Sequence, residues 1–491
     1  MILVGAAIAL VPACRPAEEQ PQFDYGTSRG PGFDGGKQFP PIAWQGPRRT
    51  QPNTKNVRLV GWTDVNGHPD AEQITGQVIN GRDYIFFGHY WSQGVSIIDV
   101  TDPKRPEVVA YIPTPVKDTK STKVEVFGTT LMVPIRPLYE LDSRPPLPAK
   151  LGVNFYDVSD PRSPKLLSFF ETADTTMPGA EGIRDGVHYS QFRSKYAYLS
   201  APSNGYTGRI YLIVDVSDPA HPKEAGRYFS LGQHTSAGET FVTGTTPTVH
   251  GAQTNRDETL GFSSTLEDPP GGLVILDLKD KGNPGFLSRV DMSPPMIEPY
   301  FGVHHVTTFD SRKILVALNE GVGSMRTRPQ MTGWVIDYAD PTRPKVLSVL
   351  PIPPGHDMNI PVRFGPHNSH ENQPQGLIDD YMLYVSWFHA GVRVFDLSDP
   401  KHPVESGYFE PADPKYRMDS RTWSGEPGEP DGSELASLNH VYVDKRGYIY
   451  GSGYNDGLYI LEYTGPRPVG SQEALDVARR ERAAMGASAV R

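Results

Sequence analysis

The sequence is nearly free of cysteine. Its one thiol, Cys14, lies at the edge of an N-terminal apolar run, and the 477 residues after it contain none. That excludes intrachain disulfides and zinc–thiolate sites from the body of the chain. After the apolar run, no stretch approaches the roughly 20 apolar residues that a membrane helix needs. Lysines and arginines never cluster beyond a few residues and the net charge is −10, so nothing favours nucleic acid. A P-loop and a metalloprotease HExxH are also missing. Glycine and proline are plentiful, at 49 and 48 residues. That suits many short strands joined by tight turns.

Three features are present: a leader-like N-terminus, a long-period repeat and an uneven distribution of histidine. The run ILVGAAIALV at 2–11 leads into Pro12-Ala13-Cys14. An apolar segment closed by a small residue before a lone cysteine resembles a bacterial lipoprotein signal, which implies a signal peptide over 1–13 and lipidation of Cys14. The expected location is exported, periplasmic or cell-surface, with a lipid anchor to the membrane. Residues 14–55 are rich in Pro, Gly and Gln and read as a tether.

The repeat determines the architecture. VSIIDVTDPKRP (95–106), VNFYDVSDPRSP (153–164), YLIVDVSDPAHP (211–222), LVILDLKDKGNP (273–284), GWVIDYADPTRP (333–344) and VRVFDLSDPKHP (392–403) align, and LYILEYTGPRP (458–468) is a degenerate seventh copy. The aligned acids Asp99, Asp157, Asp215, Asp277, Asp337, Asp396 and Glu462 are 58, 58, 62, 60, 59 and 66 residues apart. Each copy is a β-branched strand followed by turn chemistry, with Asp capping its own turn and Pro fixing φ. Four strands per period, seven times, predict an all-β, seven-bladed β-propeller over residues 56–465. The last copy lacks an outer strand, and NVRLVGWTDV (56–65) matches one. The N-terminal strand is therefore expected to close the ring. Residues 466–491 form a tail with a short helix at 472–486.

VSIIDV, YLIVDVSDP and LVILDL resemble the LVIVD repeats of bacterial surface and periplasmic propellers. The resemblance implies the fold and no particular activity. LYVSWFHAGVRVFDLSDPKHP (383–403) is similar to one blade of the selenium-binding protein family, whose members include copper-dependent methanethiol oxidases. The cysteine motifs of that family are absent here. Carotenoid-cleaving oxygenases offer a precedent of geometry without a sequence match: four axial histidines on iron in a seven-bladed propeller.

Two of the 14 histidines, His221 and His402, occupy DPxxP turns where other copies carry Arg, Ser or Asn; these read as solvated turn residues. His188, His250, His304, His305, His367, His370 and His440 precede or begin the innermost strand of a blade, while His89 and His389 fall at loops of the same face. Neutral imidazole is the commonest metal ligand, and a propeller brings such positions together on its axis. The expected site is an axial transition metal, Cu or Fe favoured and Zn possible. Its candidate ligands are His188, His250, His304, His305, His370, His389 and His440. In the stretch GPHNSHENQPQ, read as a loop entering blade six, His370 is preferred over His367 because it lies nearer the strand. Glu181, Glu320 and Glu371 are candidate outer partners of the rings. The long segments 134–151 and 408–438 are candidate covers for the site, with Tyr416 and Trp423 as ligand contacts. The functional expectation is a metal-dependent oxidase or oxygenase acting on a small-molecule ligand at the axial face. The alternative is a non-catalytic surface scaffold that recognises protein or glycan.

Overall fold

The computed structural model describes residues 46–116, 119–137, 147–240, 248–265, 272–290, 292, 302–320, 332–356, 362–414 and 435–488. Cys14, Tyr416 and Trp423 lie outside these residues. The chain is a seven-bladed β-propeller of four-stranded antiparallel sheets. In blade three the strands are Ser190–Phe192, Tyr196–Ala201, Ile210–Asp215 and Lys223–Tyr228, running from the axis outwards. The ring closes as the sequence predicts: Val57–Thr63 pairs with Leu458–Tyr463 and becomes the outer strand of blade seven.

The repeated residues explain why the blades stack. The third strand of each blade is mostly apolar and buried because both of its faces are covered. In Ile210–Asp215 only the last residue is partly exposed. Apolar clusters fill the junctions between successive blades, including the closure, where Val65, Ile74 and Phe87 meet Tyr450, Leu458 and Ile460. The turn aspartates cap as expected. Oδ1 of Asp99, Asp157, Asp215, Asp277, Asp337 and Asp396 accepts the backbone N–H two residues on. The turns also stitch neighbouring blades together. Ser168, Ser288 and Ser348 on outer strands donate to the carbonyls of Pro219, Pro341 and Pro400 in the next blade's turn. Where glycine replaces the serine the approach is closer still: a Cβ on Gly226 would lie 2.0 Å from the Lys281 carbonyl oxygen.

The helix, Val469–Ser488, extends slightly beyond the expected 472–486. It buries Leu475 and Ala478 against blades six and seven. Arg482 reaches Asp83 of blade one at 2.7 Å, and Ser471 donates to Asp379 of blade six at 2.6 Å. The helix therefore braces the closure on the turn face.

Blade six departs from the repeat. Its regular strands are Met382–Ser386, Val392–Asp396 and Val404–Glu410, and Asn53–Lys55 adds to the outer edge. No regular inner strand forms. GPHNSHEN occupies that place instead, held by His367 N–H to Ser386 O (2.9 Å), Ser386 N–H to Asn368 O (2.9 Å) and His370 N–H to Tyr384 O (2.9 Å). The expectation of an entry loop is thus corrected: the segment is an irregular inner strand. Its polar side chains bond across the axis, and Asn372 sits at φ 42°, which breaks the pleat.

Candidate functional site: a four-histidine axial layer

Four consecutive blades carry the same element at or just before the place of the inner strand, a histidine directly after Val or Pro: Val187-His188, Val249-His250, Val303-His304 and Pro366-His367. The rings pack one against the next, His188 edge-on to His250 and the others tilted. Centroids are 4.3 Å apart for His188–His250, 3.9 Å for His250–His304 and 4.2 Å for His304–His367.

Each ring is oriented by its Nδ1. His250 Nδ1 lies 2.8 Å from the carbonyl oxygen of His304, His304 Nδ1 lies 3.2 Å from that of His367, and His367 Nδ1 lies 2.6 Å from that of Asn439. A carbonyl only accepts, so each Nδ1 carries the proton. His188 Nδ1 faces Asp185 Oδ2 at 3.2 Å, with the same consequence. A carbonyl of the next blade therefore fixes the tautomer of each of the first three rings. The Nε2 atoms are left as acceptors. His188 and His250 Nε2 are 2.7 Å apart, close enough to share one proton or one metal ion. His304 Nε2 is buried with no hydrogen-bond partner. His250, His304 and Glu320 offer ligand atoms all within 4.8 Å of one another. Glu320 also approaches Nε2 of His304 and His367, at 3.6 Å each, while Arg363 holds its other face at 2.5 Å.

Burial keeps all four imidazoles neutral. Their pKa values fall well below the usual histidine range, first because desolvation penalises the cation, then through the charges of neighbouring rings and of Lys123, Arg136, Arg209 and Arg363. Neutral, tautomer-locked imidazoles are the form that binds metal. The donor set is nitrogen-rich with one nearby carboxylate and no thiolate, which suits Cu, Fe or Zn and not Ca or Mg.

The other expected ligands lie elsewhere. His305 faces a lower layer, with Nε2 3.7 Å from Glu371. His440 is in that lower layer too, both ring nitrogens unpartnered, in a small cavity shared with Glu125, Tyr189 and Glu371. His370 is corrected outright. Its Nε2 bonds Leu377 O at 2.6 Å and its Nδ1 accepts from Val443 N–H at 3.2 Å, so both nitrogens are engaged. His389 is likewise engaged by Ala436 O at 3.1 Å and Arg49 at 3.2 Å, beside a peripheral cavity of about 320 Å³. His89 bonds Asp70 O and Ser96 within blade one. Glu181 is exposed, and Asp185 takes the outer role expected of it. His221 and His402 are exposed turn residues bonded to Asp218 and Asp399. The residue that the sequence reading passed over is His367. Aligning GPHN with TVHG, GVHY and GVHH would have found it.

Residues 194–230, the body of blade three, match the LVIVD repeat. The chain is a β-propeller that carries an LVIVD repeat in blade three. The match covers the strands and turn immediately after His188 and Tyr189, so it describes the scaffold and leaves the histidine layer outside. No curated protein matches the sequence. Among solved structures, the propeller is similar to Raptor from Chaetomium thermophilum, at 9% identity and a TM-score of 0.47, over 86% of this chain and 29% of that one. The chain thus spans less than a third of Raptor's length. It is similar to the Cps50 (Swd1) β-propeller domain of Myceliophteria thermophila, at 10% identity and a TM-score of 0.48, over 84% and 99% of the two chains. It is also similar to a protein from Lactobacillus plantarum, at 13% identity and a TM-score of 0.49, over 78% and 100%.

Proposed function

We propose that this propeller binds one transition-metal ion at His188, His250, His304 and His367 and uses it in redox chemistry on a small molecule. One observation carries the reading: three successive Nδ1-to-carbonyl hydrogen bonds, with Asp185 serving the fourth ring, leave the Nε2 atoms as the available donors to a metal, and ligand atoms of His250 and His304 lie within 4.8 Å of each other and of Glu320. A polar channel without a ligand has no evident use for four buried imidazoles side by side, one of them with its Nε2 unpartnered. Copper or iron in such a site supplies electron transfer and polarises a small ligand at an open position. The chain's own groups do the rest. Asp185 fixes His188 and is itself held by Arg136 at 3.0 Å and Arg209 at 2.8 Å. Glu320, clamped by Arg363, balances charge beside His304 and His367. The packed rings exclude water and hold the Nε2 set rigid before any ion arrives.

Export is proposed on the sequence alone, from the apolar run before Cys14; labelling with a radioactive fatty acid, lost in Cys14→Ser, checks it. The metal reading is tested by elemental analysis of tag-free protein reconstituted with Cu, Fe or Zn and then dialysed. The expected result is one equivalent in the wild type and less than a tenth in His250→Ala and His304→Ala, with circular dichroism unchanged. Less than a tenth of an equivalent in the wild type overturns the reading and leaves a binding scaffold.

A further inference from the structure

The histidines cover only one arc of the axis, that of blades three to six. The opposite arc belongs to blades seven, one and two. Blade seven places Asn439 at the histidine position, and its Nδ2 donates to Ala71 O of blade one at 3.2 Å, which continues the same circumferential chain. Next to Ala71 stands Glu72. Two residues before the inner strand of blade two stands Lys123. Its side chain has no solvent exposure, and its Nζ lies 2.8 Å from Glu72 Oε1. Beyond that ion pair Nζ has no hydrogen-bond acceptor, and Glu72 Oε2 has no donor, although Arg136 stands 3.6 Å from it.

The ammonium is close to the histidine layer. It lies 5.5 Å from the Tyr189 ring, which stacks at 6.4 Å on His250. Its charge lowers the basicity of His188, His250, His304 and His367 alike. A buried lysine is costly, and a lone ion pair in a dry interior gains little over apolar residues of the same size. A purely structural Lys123 would also have its remaining N–H groups satisfied. The surrounding charges point the same way. Four cations, Lys123, Arg136, Arg209 and Arg363, adjoin the layer, against three acids, Glu72, Asp185 and Glu320. A bound metal ion adds to that excess.

We infer that the ligand taken at this centre is a small anion, held between the metal and the Lys123 ammonium in the arc that the histidines leave open. The inference rests on the metal reading above. Glu72 in this scheme is the resident counter-charge, keeping Lys123 protonated and aimed before the anion enters.

The test uses azide as the probe on the copper-loaded full chain, followed by its charge-transfer absorption. Lys123→Met is compared with the charge-neutral pair Lys123→Met/Glu72→Gln, which removes both partners and avoids an orphaned carboxylate. The expected result is a loss of azide affinity of ten- to a hundredfold in the double variant, at unchanged copper content and with unchanged affinity for the neutral ligand imidazole. Azide affinity within threefold of wild type, or an equal loss for azide and imidazole, overturns the inference. Wild-type protein that fails to hold copper overturns the metal reading and this inference with it. Copper held with azide affinity unchanged overturns this one alone.

Discussion

The two ends of a blade are built from the same repeat and have opposite sequence behaviour. At the outer turn the residues are nearly interchangeable from blade to blade. An aspartate caps, a proline bends, and a serine or glycine from the neighbour closes on the turn carbonyl. At the start of the inner strand the residues diverge. His188, His250, His304 and His367 form one arc, and Asn439, Glu72 and Lys123 form the other. The turn face solves the same packing problem seven times, so its residues repeat. The axial face brings seven strands together around one axis, so its residues are free to differ. The histidines show the contrast most clearly: His221 and His402 sit in turns with exposed rings, whereas the axial rings are buried and neutral.

The largest expected effect separates the two ends directly. His367→Ala should weaken metal binding by on the order of a hundredfold or more, read by competition with a chromophoric chelator. Asp215→Ala, which removes a turn cap, should leave metal binding intact and cost about 1 kcal/mol of stability by denaturant titration. Equal metal loss in both would erase the distinction between the faces.

A second effect is pH dependence. Six axial imidazoles, His188, His250, His304, His305, His367 and His440, are buried with pKa values well below 6.5. A histidine that takes its proton less readily folded than unfolded contributes stability that is complete above its unfolded pKa, near 6.5. That stability is lost as pH falls below this value, because the unfolded chain then binds more protons. The metal-free protein should therefore lose thermal stability from pH 7 to pH 5, partly offset by the buried carboxyls of Asp456 and Glu125, whose pKa values burial raises. A melting temperature flat across that interval would contradict neutral burial of the axial layer.

The smallest effect concerns neighbours in one segment. His370→Gln should keep metal binding, since both ring nitrogens are engaged by backbone. It should lower stability by about 1–3 kcal/mol, because Leu377 O and Val443 N–H lose good partners in the interior. Read together with His367→Ala, it sharpens the comparison to residues three apart.

These contrasts also show what a sequence can disclose. The propeller was legible because its repeated residues act locally: an aspartate caps a turn two residues away whatever the rest of the chain does. The face carrying the site was legible too, since strand polarity follows from the same repeat. The membership of the site was not. His370 lies nearer the regular strand than His367, but blade six has no regular inner strand. Which histidine reaches the axis is set by carbonyls of other blades, such as Asn439 O at 72 residues' distance in the chain. Lys123 and Glu72 were passed over for a related reason. Each is an ordinary charged residue until the ring closes and buries both.

The central claim is that four Nε2 atoms from successive blades converge on one ion. X-ray absorption at the metal edge of the reconstituted protein tests it most directly. The account predicts three to four imidazole nitrogens at about 2.0–2.1 Å, falling by one in His367→Ala. A shell of oxygen ligands with one imidazole or none would mean that the ion sits elsewhere and that the axial histidines hold no metal.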